Sequence, residues 1–208
     1  MGKQIPGNRL FESLEGADLP ADVRAAIDQL ADENALLRAS QAEMRERVGA
    51  LEEQTDSDTV TPLPNRRRFL AEIERVVSSV GRHGIPAALL HIDLDGLKAI
   101  NARYGRLAGD AALIHVARLL SRLIRTSDVL ARIGGDEFGL ILDHLDHNSA
   151  IETADRLARC IADSPLEIGG AQVRIAASIG VATILAGDSV EDVMDRAGRN
   201  MCRAKEFE

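Results

Sequence analysis

Aromatic side chains are nearly missing from this chain: there is no tryptophan, one tyrosine and four phenylalanines in 208 residues. The core must therefore be Leu, Ile, Val and Ala. With 45% hydrophobic residues there is enough for one packed domain of ordinary size plus an appendage. Cysteine is scarce as well. Cys160 and Cys202 lie far apart and lack metal-ligand spacing, which reads as two reduced thiols in a cytoplasmic protein. Positive charge is in deficit. The 25 Lys and Arg against 33 Asp and Glu leave a net charge of −8, which argues against general nucleic-acid binding or an anionic membrane surface. No apolar run reaches the roughly 18 residues of a membrane-spanning helix. The N-terminus carries no charged-then-apolar leader, and no internal repeat is visible.

What is present begins with a rod. Residues 20–56 are charged, nearly free of glycine and periodic. Val23, Ile27, Leu30, Asn34, Leu37, Gln41, Met44, Val48, Leu51 and Thr55 recur in alternating steps of four and three. This is a heptad seam, with Val23, Leu30, Leu37, Met44 and Leu51 at d and Ile27 and Val48 at a. Asn34 at an a position favours a two-stranded, in-register parallel pair. Glu33 at g would face Arg38 at e of a second copy, and Arg47 would face Glu52. The stripe is narrow, as suits a dimer seam; one amphipathic helix lying on its own domain is the alternative. Pro20 suits the first turn, with Asp18 as a cap. Residues 1–19 have no period and read as a flexible tail, the stump of an input region or a site for a protein partner.

After a Pro- and Thr-rich joint, Asn65 can cap a helix running to about Gly81, with Phe69, Ile73, Val76 and Val77 on one face. Beyond it Ala87–Asp93 reads as a buried strand. Residues 97–104 and 110–124 read as helices, 129–143 as a hairpin, and 148–162 as a helix. Residues 172–184 read as a strand paired with Leu166–Ile168 across Gly169-Gly170, and 190–204 as a last helix. Helices alternating with strands and hairpins imply an α/β fold, a mixed sheet with helices packed on it, preceded by the long coiled-coil helix.

Two stretches carry chemistry. Residues 132–138 are Arg-Ile-Gly-Gly-Asp-Glu-Phe between two apolar runs. Adjacent carboxylates at a hairpin tip repel unless a cation sits between them, and the glycines let backbone approach a bulky ligand. The tip suits a metal beside a phosphate, although solvated turn residues are the ordinary explanation. The second stretch, His91 to Asn101, ends a buried strand with Asp93 and Asp95, then Gly96 and a helix start. Free N–H groups there suit phosphate, Asp93 suits a metal and Lys98 would neutralise phosphate; equally, Asp93 or Asp95 could simply cap the helix. Asn101 and Asp110 flank a glycine-bounded loop and together can read guanine, or be plain surface polar residues.

Together these stretches resemble the GGDEF domain family, the diguanylate cyclases, over roughly residues 56–205. The motifs follow in family order. They are Asp58, Thr61, Leu63-Pro64-Asn65-Arg66; Asp93, Asp95, Lys98 and Asn101; Gly105, Gly109 and Asp110; Gly134-Gly135-Asp136-Glu137-Phe138; Ser178-Ile179-Gly180-Val181-Ala182; and Ala204-Lys205. Pro62, Leu97, Ala102, Arg106, Gly198 and Cys202 depart from the family pattern, and none is an expected metal ligand or guanine reader. The resemblance implies a nucleotidyl-cyclase-like fold, with a flexible tail over 1–19, a parallel dimeric coiled coil over 20–56 and the GGDEF domain over 57–208.

It further implies that Asp93 and Asp136 hold two divalent metals, Mg2+ or Mn2+. Glu137 would serve at the metal or as a base near the ribose hydroxyl, and Asn101 and Asp110 would select guanine. Lys98 and Lys205 would meet the triphosphate, over Gly134 and Gly135. Two GTP-loaded domains would face each other in a homodimer joined by residues 20–56 and condense GTP to cyclic di-GMP with release of pyrophosphate. Arg125 and Asp128, at the spacing of the family's product-inhibition motif, would bind cyclic di-GMP with Arg156 as a second contact. An Arg and Asp at i, i+3 can also be a surface ion pair. The rival reading is a catalytically silent domain that binds GTP or cyclic di-GMP and signals through the rod; an adenine-using cyclase is disfavoured by Asp110.

Overall fold

The computed structural model describes residues 20–52 and 56–206, so the Asp18 cap and the end of the seam at Thr55 lie outside the described residues. Two compact units divide between Leu51 and Glu52. The described part of the first is α1 (Ala21–Glu52) up to Leu51, within one uninterrupted helix where the heptad pattern lies. Along it Val23, Leu30, Leu37 and Met44 are exposed, Leu30 and Leu37 to 60% and 70%. Gln29 donates to Glu33 one turn on. The side chains of Val48 and Leu51 fall outside the described residues.

The second unit contains α2 (Arg66–His83), β1 (Ala87–Asp95), α3 (Leu97–Tyr104), α4 (Arg106–Leu123), β2 (Val129–Arg132), β3 (Glu137–Asp143), α5 (His147–Ala162), β4 (Leu166–Ile168), β5 (Ala171–Val173), β6 (Ala176–Ile184) and α6 (Val190–Glu206). Helix starts follow the expected chemistry. The Asn65 side chain accepts from the Arg68 N–H, and Asp146 accepts from the Ser149 N–H. Gly84, with φ of 65°, ends α2 in the left-handed conformation.

The main sheet has the order β2-β3-β1-β6, with helices on both faces, and all its pairs are antiparallel. The α/β reading of the sequence holds, and the sheet refines it. Strands β1 and β2 run the same way, but the β2–β3 hairpin inserts β3 between them, so no parallel pair forms. Strand β1 lies at the centre and is buried from Ala87 to Leu94. Its residues alternate between two cores. Ala88, Leu90, Ile92 and Leu94 meet Leu113, Val116 and Leu120 of α4 and Leu157 of α5. Ala87 and Leu89 meet Phe69 and Ile73 of α2 and Val193 and Ala197 of α6. The two fully buried phenylalanines are divided between these cores, Phe138 in the first and Phe69 in the second.

Two boundaries differ from expectation. The strand expected over 172–184 is broken at Arg174-Ile175. Residues 171–173 pair with β4, while β6 joins the main sheet. Helix α4 starts at Arg106, four residues earlier than the glycines suggest.

Candidate active site

Strand β1 delivers its carboxylates to the sheet end where three strands and α6 meet. Asp93 stands opposite Glu137 of β3 and Ser178 of β6, so the three are cross-strand neighbours on one face. One step further on, Asp95 accepts from the Ser178 hydroxyl at 3.1 Å. The Leu94 N–H donates to the Asp136 carbonyl at 3.0 Å, which pins Asp136, at the hairpin tip, to β1. Helix α6 adds a cation: Lys205 Nζ lies 2.6 Å from Asp93 Oδ1 and 3.4 Å from Asp95 Oδ1. The hydrogen bond to Asp93 raises the pKa of this ammonium. Asp93 and Lys205 are 112 residues apart in sequence.

The hairpin tip is tightly closed. The N–H groups of Ile133 and Gly134 both donate to the Glu137 carbonyl. A Cβ on Gly134 would displace the Glu137 carboxylate, which lies against this glycine, whereas one on Gly135 would meet open space. Neither residue has a positive φ, so close approach of the Glu137 carboxylate, rather than left-handed backbone, marks Gly134. Behind the tip, Arg132 Nη1 lies 3.1 Å from Asp58 Oδ2 and Nη2 donates to the Gly135 carbonyl at 2.7 Å. Asp58 Oδ1 also accepts from the backbone and hydroxyl of Thr61. Burial alone would raise the pKa of Asp58, but the Thr61 hydrogen bonds and the Arg132 charge together hold it below its ordinary value. The joint before α2 is thus tied to the loop that presents Asp136 and Glu137.

The corner between α3 and α4 lays Asn101 against Gly109, the residue before Asp110. Gly105, with φ of 86°, turns the chain, and the Asn101 side chain lies where a Cβ on Gly109 would be, next to Asp110. The N-cap of α3 is Gly96, without a side-chain cap, so Asp93 and Asp95 do not cap this helix. Lys98 is exposed in its first turn.

Arg125, Asp128 and Arg156 also converge. With Leu142, Asp143 and Thr153 they line a cavity of about 170 Å3. The Asp128 carboxylate accepts the Arg125 backbone N–H at 2.8 Å.

The donors at the end of β1 are hard oxygens, which suit magnesium, and the Lys205 ammonium on Asp93 shows that this carboxylate accepts a cation there. No three His, Cys, Asp or Glu side chains among the described residues form a metal cage. Magnesium sites built on nucleotides use one or two carboxylates and complete the shell with phosphate, so the donor set fits.

Residues 55–208 match the family "Diguanylate cyclase, GGDEF domain". The chain belongs to this family. It is 37% identical over 150 residues to the bifunctional diguanylate cyclase/cyclic di-GMP phosphodiesterase MucR of Pseudomonas aeruginosa, covering 72% of this chain and 22% of that protein. The chain therefore spans about a fifth of the length of this relative. Diguanylate cyclase SiaD of P. aeruginosa, solved with its activator SiaC, superposes with a TM-score of 0.71 at 26% identity over 97% of this chain and 77% of SiaD. The GGDEF domain of DgcB from Caulobacter crescentus, solved with c-di-GMP, gives 0.70 at 26% identity over 73% of this chain and 88% of that one.

Within this GGDEF domain the departures from the family pattern scatter. Pro62 and Cys202 are exposed, Leu97 is buried, and Gly198 faces His91. Sequence reasoning did not single out Arg132, Asp58 or His91 as site residues. The first two are legible afterwards as an acid in the joint and a base beside the signature; their pairing spans 74 residues and no spacing rule reaches it.

Proposed function

We propose that the protein is a diguanylate cyclase that condenses two GTP into cyclic di-GMP as a homodimer joined through residues 20–56. The observation that carries this reading is the meeting of Asp93, Glu137 and the Asp136 backbone at one sheet end, beside a glycine-bare loop, an uncapped helix and the Lys205 ammonium. In this reading the open space over Gly135 and the free N–H groups of α3 take the triphosphate, assisted by Lys98 and Lys205. Asn101 and Asp110 face the guanine edge. Asp93 and Asp136, with Glu137, hold magnesium, which when bound would neutralise the phosphates around the α-phosphorus.

Each 3′ oxygen forms a bond to the α-phosphorus of the facing nucleotide. The α–β phosphoanhydride breaks, pyrophosphate leaves, and the hydroxyl proton passes to Glu137 or to solvent. The same step in the opposite sense closes the ring. Most of the catalysis is positioning, which explains the need for two facing half-sites. The cavity of Arg125, Asp128 and Arg156 would take a guanine or phosphate of the product, being too small for the whole dinucleotide. That the DgcB domain was solved with c-di-GMP supports a product site. An activator bound to SiaD supports a protein partner for this chain as well. GTP as substrate places the reaction in the cytoplasm.

The test is purified protein with GTP and magnesium, followed for pyrophosphate and cyclic di-GMP. Turnover is expected, falling about 100-fold or more in Asp93→Asn and Asp136→Asn, at least the loss seen for outer-shell metal partners. GTP binding without turnover would select the silent signalling domain instead.

A further inference from the structure

His91 is the one buried histidine of the described residues, at 8% exposure, in the middle of the central strand. It shares a face with Asp93, two residues on. Its cross-strand neighbours are glycines on both sides, Gly139 on β3 and Gly180 on β6. The spaces those glycines leave are filled, over Gly139 by the Phe69 ring and over Gly180 by the α6 backbone at Ala197 and Met201. Above the ring lies Gly198, where a Cβ would stand 3.6 Å from Nδ1. The imidazole is therefore walled by apolar groups and bare backbone. Neither ring nitrogen has an aligned hydrogen-bond partner among the described residues. A buried polar group in this position demands an explanation.

One charged group approaches it. Glu137 is the diagonal neighbour of His91 across the β1–β3 pair, and its Oε1 lies 3.4 Å from His91 Nε2. That distance is long for a hydrogen bond, and the two groups are not aligned as one. The same carboxylate is folded over the bare backbone of Gly134. Glu137 is thus held between a glycine in front and an imidazole behind, and the glycines around His91 give that ring its room.

We propose that His91 is a positioning residue for Glu137. Its Nε2–H restrains the carboxylate on the Gly134 side, pointed at the ground between Asp93 and Asp136 rather than at solvent. This rests on the reading of that ground as the metal and triphosphate site. A ligand carboxylate is usually oriented by a second hydrogen bond from behind, and loss of that partner commonly weakens metal binding 10- to 100-fold.

The test uses the full chain with Mn2+ as spectroscopic probe and a GTP analogue bridged by methylene between the α- and β-phosphorus, so that binding is read without turnover. His91→Leu should weaken Mn2+ binding about tenfold without lowering the thermal midpoint, because the change removes a poorly satisfied buried polar group. His91→Gln, which keeps a donor, should restore most of the affinity. The double variant His91→Leu with Glu137→Gln should bind no more weakly than Glu137→Gln alone, since the first residue acts only through the second. His91→Phe, which keeps a ring, replaces His91→Leu if the latter does not fold. Mn2+ binding unchanged in His91→Leu while weakened in Glu137→Gln, or independent losses that add in the double variant, would overturn the proposal alone. Failure of the unmodified protein to bind Mn2+ with the analogue, or indifference of that binding to Glu137→Gln, would overturn the reading of the site and the proposal with it.

Discussion

Single side chains in this domain are held by partners remote in sequence, and Asp58 with Arg132 is the clearest case. Both side chains are largely buried, at 14% and 13% exposure, so neither charge can fall back on water if the other is removed. Arg132→Met should cost about 3 kcal/mol, and a domain of this size should lose roughly 10 °C of thermal midpoint. The pH dependence has a definite sign. Asp58 titrates below its ordinary value when folded, so its contribution is complete above the unfolded pKa, about 3.9, and disappears as pH falls through the lower folded value. Glu72 and Asp188 are lowered as well and add to acid sensitivity, but they are common to both proteins. The gap in midpoint between wild type and Arg132→Met should therefore be constant from pH 7 to about pH 5 and narrow progressively as pH falls below about 4, leaving the share that the Gly135 carbonyl bond contributes. Thermal scans from pH 7 down through the acid range decide it; a gap that does not narrow at all as pH falls below about 4 would mean that the charge pair is not what Arg132 contributes.

Among the elements, α6 matters most for the site because it carries Lys205 to Asp93, and it does so by lying directly on β6 at Gly180. A Cβ at 180 would collide with helix backbone at Ala197 and Met201, which cannot move aside as a side chain can. Gly180→Ala should destabilise by about 2 kcal/mol or more, as overpacked interiors do, and displace Lys205, one turn beyond Met201. Gly135→Ala, with open space and no positive φ, should change stability by less than about 0.5 kcal/mol. Denaturant midpoints of the two variants separate a glycine needed for packing from one whose open surroundings leave room for a ligand. Such distinctions mark what could be read from the chain alone. The Asn65 cap, the buried run of β1 and the Gly-Gly hairpin were legible because each is decided by a few adjacent residues. The start of α4 was not, because Gly109 looks like a breaker until Asn101 is seen lying against it. The division between β5 and β6 was missed because Arg174-Ile175 carries no turn signal, and because β6 is chosen by its pairing with β1, 81 to 97 residues away. At the site, local sequence suggested acids and glycines, while the meeting of Lys205, Asp93 and Glu137 depends on register, which no local pattern encodes.

For the whole molecule the decisive quantity is the concentration of one half-site near another. In the proposed reaction a single domain would supply one set of groups for guanine, phosphate and metal, and ring closure needs two. Helix α1 leaves Leu30, Leu37 and Met44 exposed at heptad spacing, an arrangement a lone helix has no reason to keep and a parallel partner would bury. Two such helices in register would hold their globular units at an effective concentration in the millimolar range, far above that of the dilute protein. Replacing Leu30 and Leu37 together by Lys puts like charges into that seam and should yield a monomer with an intact globular unit. Cyclic di-GMP formation per mole of protein should then rise with protein concentration where the wild type is flat, and at about 1 μM it should be lower by about 100-fold, the lower end of the advantage that tethering confers. Sedimentation of both proteins alongside the assay separates the causes. Unchanged specific activity in a variant that sediments as a monomer would mean that the globular units find each other without the helix.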